Sequence, residues 1–261
     1  MDLRLEGKTA LVLGAGGGLG AAIARGLASE GAQVAVGDID GDAAQRTASG
    51  IGDIGARALA LTWDLADLDI VDTQVTLIEK ALGPVDILVN NTGGPPPTPA
   101  GGQDLTLWRR YFESMVLSVI AVTDRVLPGM RSRGWGRVIT STSSGIIAPI
   151  PNLGLSNSLR ATLVGWSKTL AREVGRDGVT ANIVVPGSIM TNRMHALNEA
   201  KARRENRAVE DVVRESTDAI PVGRHGRPDE YADVVTFLAS PRAAYVTGSV
   251  VRIDGGMIAN V

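Results

Sequence analysis

9-TALVLGAGGGLG-20 runs from a short aliphatic stretch straight into a glycine cluster and on into a helical pattern. Thr9–Leu13 reads as a buried strand, and Leu19–Glu30 carries apolar residues at helical spacing. Glycines at Gly14, Gly18 and Gly20 permit a sharp turn, a close approach of backbone to a pyrophosphate, and tight packing of helix on strand. The helix N-terminus would then face that phosphate with its partial positive charge. A glycine cluster by itself is a weak sign, and the acidic residue that follows strengthens it. Asp38 closes the next strand-like run, 34-VAVGD-38. A carboxylate there can accept hydrogen bonds from an adenosine ribose and would repel a 2′-phosphate. Gly17 precedes Gly18, so no arginine or lysine waits for such a phosphate, and NAD is expected rather than NADP. The plainer reading is that Asp38 only caps the following helix.

Beyond this unit the alternation continues. Strand-like runs fall at Gln33–Gly37, Ala58–Thr62, Val85–Val89, Arg137–Ser141, Val179–Val185 and Val250–Ile253. Helical patterns fall at Asp40–Ile51, Asp67–Leu82, Leu105–Arg133, Ser156–Gly175 and Pro228–Leu238. Strands alternating with helices of that length predict a single α/β domain over residues 1–261, Rossmann-like and doubly wound. Its parallel sheet should have about seven strands, with helices on both faces. Two segments interrupt the rhythm. 93-GGPPPTPAGG-102 must be free of helix, since its prolines oppose helix and ladder alike; it is either a pocket wall or a stiff connection. Ser188–Pro221 is polar, helical in parts, without strand signal, and a candidate substrate lid or a plain surface insertion.

Composition sets the outer bounds. In 261 residues, 44% are hydrophobic and 21% charged, as in an ordinary globular chain. A net charge of −2 gives no pull towards nucleic acid or an acidic membrane. The basic run 201-KARRENR-207 is interspersed with and flanked by glutamates and reads as a solvated helix face. Cysteine is absent, which excludes disulfides, thiolate metal sites and a cysteine nucleophile. No signal-peptide pattern opens the sequence and no long apolar run suggests a membrane span, so a cytoplasmic location is expected.

Further landmarks accumulate along the chain. Asp64–Leu65 follows the third strand and 90-NNTG-93 the fourth; 186-PGSIMT-191, 221-PVGRHGRPDE-230 and 247-TGSVVRIDGG-256 come later. Together with GAGGGLG they resemble the classical short-chain dehydrogenase/reductase family over nearly the whole chain, although Leu13 replaces a usual threonine. The resemblance implies cofactor contacts from Gly14, Gly18, Leu19, Gly20, Asp38, Asp64, Leu65, Asn90, Gly93, Arg160, Ile189 and Thr191. It also implies assembly as a homodimer or homotetramer.

The chemistry departs from the family pattern. Ser143 in 140-TSTSS-144 matches the serine that orients a substrate carbonyl. The family's tyrosine and lysine places, counted from both sides, fall on Ser156 and Arg160, and its helix asparagine falls on Met115. The chain thus resembles an atypical branch, similar in outline to 3-oxoacyl-carrier-protein reductases. Serine is a weaker acid than phenol and too short to reach the same point. Arginine stays protonated, so it can hold hydroxyls or an oxyanion but cannot relay a proton cheaply. Four residues apart on a helix, Ser156 and Arg160 share a face. Helix packing or capping is the alternative role for both. Tyr111 and His195 are other conceivable proton donors, His225 a lesser one, and each has a plain surface or packing explanation. Two histidines without an acidic cluster predict no metal site. The expected activity is NAD-dependent oxidoreduction of a small carbonyl or alcohol, with Ser143, Ser156 and Arg160 as catalytic candidates. The alternatives are NAD(H) binding without turnover, as a sensor or assembly partner, and a non-redox lyase or isomerase.

Overall fold

The computed structural model describes residues 2–260. Seven strands form one sheet: β1 (Thr9–Leu13), β2 (Gln33–Asp38), β3 (Ala58–Thr62), β4 (Ile87–Asn90), β5 (Gly136–Ser141), β6 (Val179–Pro186) and β7 (Val250–Ile253). Their order is β3-β2-β1-β4-β5-β6-β7, and every pairing is parallel. Helices cover both faces, as parallel sheets require. They are α1 (Gly18–Ser29), α2 (Gly41–Gly52), α3 (Val71–Ala81), α4 (Leu105–Phe112), α5 (Ser118–Ser132), α6 (Gly154–Val174), α7 (Asn192–Glu205), α8 (Val209–Thr217) and α9 (Pro228–Ala239).

Strand β1 shows why the sheet sits where it does. All five of its residues are buried. Ala10 and Val12 join a core with Ile23, Leu27, Val235 and Leu238 of α1 and α9, while Leu11 and Leu13 join one with Val75, Ile78, Val122 and Leu170 of α3, α5 and α6. Successive side chains point to opposite faces, so a strand buried on both sides reads as an unbroken apolar run. Each fully buried Leu or Ile contributes about 2 kcal/mol through apolar area withdrawn from water.

The chain reverses its direction of winding between β1 and β4, and a crevice opens there at the carboxyl ends of the strands. Two departures from the sequence expectations bear on that edge. The helix expected over Leu105–Arg133 is broken by a π turn at Glu113–Leu117, closed by Ser118 N–H donating to the Glu113 carbonyl. Thr98 in the proline-rich loop makes one bridge with Leu153, receiving Gly154 N–H at 2.9 Å and donating to Asn152 at 2.7 Å. The Ser188–Pro221 segment, as expected, is helical in parts and contains α7 and α8.

Candidate functional site

The glycine turn leaves β1 with Gly14 at φ +56° and enters α1. A β-carbon on Gly14 would lie 2.6 Å from the Asn91 carbonyl oxygen, and one on Gly20 would lie 2.1 Å from that of Gly14. Both positions therefore need glycine for closeness of backbone to backbone. The turn separates two cavities that meet at Asn91. The first, about 450 Å³, is lined by Gly14, Asp38, Asp64, Leu65 and Gly93, with Trp63 and, from α4, Arg110 and Tyr111. The second, about 390 Å³, is lined by Gly18, Leu19, Ile189 and Thr191.

Asp38, the last residue of β2, has its carboxylate fixed by two backbone N–H donors, Gly16 at 2.7 Å and Asp40 at 3.0 Å. The capping role belongs instead to Asp40, which accepts from Ala43 at 3.0 Å. Asp64 accepts from Ala66 N–H at 2.9 Å. Thr191 caps α7, its hydroxyl accepting from Met194 N–H at 3.3 Å.

Asn90 lies elsewhere than the sequence suggested. It is wholly buried, and its amide donates to Thr123 Oγ1 at 3.3 Å and Thr140 Oγ1 at 3.5 Å. As the final residue of β4 its side chain packs within the fold. Asn91, the first residue past the strand, borders both cavities and donates to the Leu13 and Gly14 carbonyls at 3.3 and 3.0 Å. No local pattern separates the two, since which of them borders the cavities depends on where β4 ends. Trp63, Arg110 and Tyr111 were not expected at the cavity as cofactor contacts; only the tertiary fold brings them there.

Ser143 sits in extended backbone after β5 and accepts from Gly145 N–H at 3.2 Å. The start of α6 packs on this turn: a β-carbon on Gly145 would meet Asn157 Oδ1 at 2.1 Å. Ser156 is 9% exposed in the first turn of α6. One turn on, the Arg160 guanidinium donates to the carbonyls of Gly93 at 3.0 Å, Thr92 at 3.3 Å and Ser141 at 3.5 Å. It therefore stands between the ends of β4 and β5. Met115, 1% exposed in the π turn, packs with Leu159 and Leu163 of α6.

Of the three tyrosines, Tyr231 is buried with its hydroxyl 2.8 Å from Ser141 Oγ, and burial pushes its phenol well above the usual range. Tyr245 is fully exposed. Tyr111 alone borders the first cavity. His195 is exposed on α7. His225 is 7% exposed, with Nδ1 2.8 Å from Ser188 Oγ and Nε2 3.0 Å from Ser216 Oγ. Burial holds it below the ordinary imidazole range, opposed by a hydrogen bond to the Ser188 backbone and reinforced by the charge of His195. Among the described residues no group of three or more His, Cys, Asp or Glu could hold a metal ion. No helix among them is long and apolar enough to cross a membrane.

A seven-stranded parallel sheet in this order, with a glycine turn and paired cavities at its carboxyl edge, defines a Rossmann-type α/β protein. Residues 14–258 match the family described as enoyl-(acyl carrier protein) reductase. The 3-oxoacyl-[acyl-carrier-protein] reductase FabG of Vibrio cholerae is 36% identical over 98% of this chain and 99% of its own. The solved L-sorbose reductase of Gluconobacter frateurii, complexed with NADPH and L-sorbose, superposes with TM-score 0.94 at 32% identity, covering 100% of both chains. A 7α-hydroxysteroid dehydrogenase complexed with NADH and 7-oxo glycochenodeoxycholic acid gives 0.87 at 31% identity, over 98% of this chain and 96% of that one. The chain belongs to the short-chain dehydrogenase/reductase family of oxidoreductases.

Proposed function

We propose that the protein is an NAD(H)-dependent oxidoreductase of a small carbonyl or alcohol whose proton donor is not the family's usual one. The observation that carries this reading is the fixed Asp38 carboxylate in the first cavity, beside a glycine turn closed to any β-carbon at Gly20. A negative group at that place favours ribose hydroxyls over a 2′-phosphate. The cavities fit a dinucleotide: Gly14, Asp38, Asp64, Leu65 and Gly93 would hold its adenosine half, and Gly18, Leu19, Ile189 and Thr191 the other, with Gly20 supporting the turn from behind. NAD, when bound, supplies or accepts the hydride.

The rest falls to the chain's own side chains. Ser143 would donate to the substrate oxygen, and the Arg160 guanidinium would stabilise the charge that develops on it. Arg160 never releases its own proton near neutrality, and Ser156 is too weak an acid. The proton on the product oxygen would therefore come from water held by the two serines, or from a neighbouring phenol such as Tyr111. The segment 188–221 would act as a lid. The exposed edge of β7, where Val250 is 41% exposed, supports assembly into a closed homodimer or homotetramer. A cytoplasmic location is proposed with it.

A second reading has its own support. Three backbone carbonyls take up Arg160, which suits a cation that ties β4 to β5 in a cofactor-binding protein without turnover. One experiment separates the two. Excess protein is mixed with NADH or NADPH and a panel of ketones and aldehydes, and nicotinamide absorbance is followed for the unaltered chain and for Arg160→Ala. Oxidoreduction predicts oxidation of NADH in preference to NADPH, and a loss of about a hundredfold or more in kcat for Arg160→Ala. NADH binding with no turnover, restored to turnover by Ser156→Tyr with Arg160→Lys, would select the second reading.

A further inference from the structure

We infer that His225 is a positioning residue, coupling α8 of the 188–221 segment to the loop that carries Ile189 and Thr191. The inference rests on the reading that a nicotinamide dinucleotide lies across the glycine turn.

Hydrogen bonding fixes the state of the ring. Ser216 has one hydroxyl hydrogen, and it goes to the Val213 carbonyl at 2.7 Å. Ser216 Oγ can therefore only accept from His225, so Nε2 carries the proton at 3.0 Å. On the other side of the ring, Nδ1 lies 2.8 Å from the Ser188 hydroxyl. One imidazole thus links Ser188, where the 188–221 segment begins, to α8 inside it.

Ser188 and the turn that carries His225 are already joined through backbone. Gly226 N–H donates to the Ser188 carbonyl at 3.0 Å, and Met190 N–H donates to Gly226 at 2.8 Å, bridging Ile189 to Gly226. Ile189 and Thr191, next along, line the second cavity. On the other side, Glu215 of α8 pairs with Lys201 of α7 at 2.9 Å and with Arg207 of the connection between the two helices at 2.5 Å, so the helices are linked. A displacement of the linked helices reaches Ser188 through the ring, and from Ser188 the cavity wall. An apolar ring of equal size would fill the space and transmit nothing.

The test measures NADH and ADP-ribose dissociation constants by tryptophan fluorescence, since Trp63 lines the first cavity. Hydrogen exchange of residues 188–191 and 209–217 is read alongside, without nucleotide. Ser216→Ala removes one hydroxyl outside the cavity, and His225→Phe removes both bonds but keeps a ring. Each is expected to weaken NADH about tenfold and leave ADP-ribose within about twofold. Exchange should quicken at 188–191 as well as in α8. His225→Gln, whose amide can still donate to Ser216, should recover part of the loss. Unchanged NADH affinity and unchanged exchange at 188–191 in Ser216→Ala would overturn the coupling. Equal weakening of NADH and ADP-ribose would overturn it too, since that marks general destabilisation. If the unaltered chain binds neither nucleotide, the dinucleotide reading itself falls, and the inference with it.

Discussion

At Gly20 the nearest neighbours of a would-be β-carbon are the Gly14 carbonyl oxygen at 2.1 Å and the Ala15 Cα at 2.8 Å. Both are backbone, so neither can swing aside as the end of a flexible side chain could. Gly20→Ala is expected to cost about 3 kcal/mol of folding stability, read as a lower urea midpoint at unchanged slope. Gly17→Ala is the control, because its β-carbon would meet nothing within 4 Å; it should stay within about 0.5 kcal/mol. Equal midpoints for the two variants would show the turn to be pliable. This turn was legible in sequence because its chemistry is local: glycine spacing and the next acidic residue lie on one strand–helix–strand unit. Asn90 and Asn91 were not separable in that way. Which of the two borders the cavities depends on where β4 ends, and a strand end is set by its neighbours. His225 was legible only as a histidine in a turn, since its partners lie 37 residues upstream and 9 residues upstream.

Elements follow the same division. Every expected strand exists, and in the central ones burial on both faces writes apolar runs into the sequence. The single helix expected at Leu105–Arg133 is instead α4, a π turn and α5. An extra residue in one turn leaves the apolar periodicity on either side intact, so no local pattern announces it. Likewise Thr98 is the one residue of 95–99 that is not proline, hence the only one there with a backbone N–H to donate. That donor is the one the structure uses against Asn152. Helix α9 offers a prediction at this scale. Glu230, in its first turn, accepts from Arg224 at 2.6 and 2.8 Å and from Arg227 N–H at 2.8 Å. The Arg224 bonds, then the Arg227 backbone, hold its carboxyl down to about 2, against an ordinary 4.5. A carboxyl lowered on folding adds stability above its unfolded pKa and loses it as pH falls towards the folded value. The melting-temperature gap between the unaltered chain and Glu230→Gln should thus be full above pH 4.5 and close by about pH 2. A gap that stays constant over that window would assign the difference to packing instead of charge.

Over the whole molecule, the sheet and the 188–221 segment are held by different forces. The strands β1, β4, β5 and β6 are buried on both faces, and opening any of them exposes a continuous core. In α7 and α8, by contrast, the described side chains that are buried are few: Asn198, Ala202 and Val212. The two helices are joined to each other at the surface by the Lys201–Glu215 ion pair, and Arg203–Glu199 pairs one turn of α7 with the next. Pairs of that kind contribute at most about 1 kcal/mol each, because water screens them. Opening of this segment should therefore need only a fraction of the global unfolding free energy. In hydrogen exchange, amides of 192–217 should exchange at least about a hundredfold faster than those of β1 and β4. Added NADH should slow exchange at 14–20 and 188–191 together, since both border the second cavity. Raised salt should quicken 192–217 further and leave the strands unchanged, because it weakens only the ion pairs. Exchange in 192–217 as slow as in the central strands would mean that the segment belongs to the cooperative core, and a lid that opens by itself would then be ruled out.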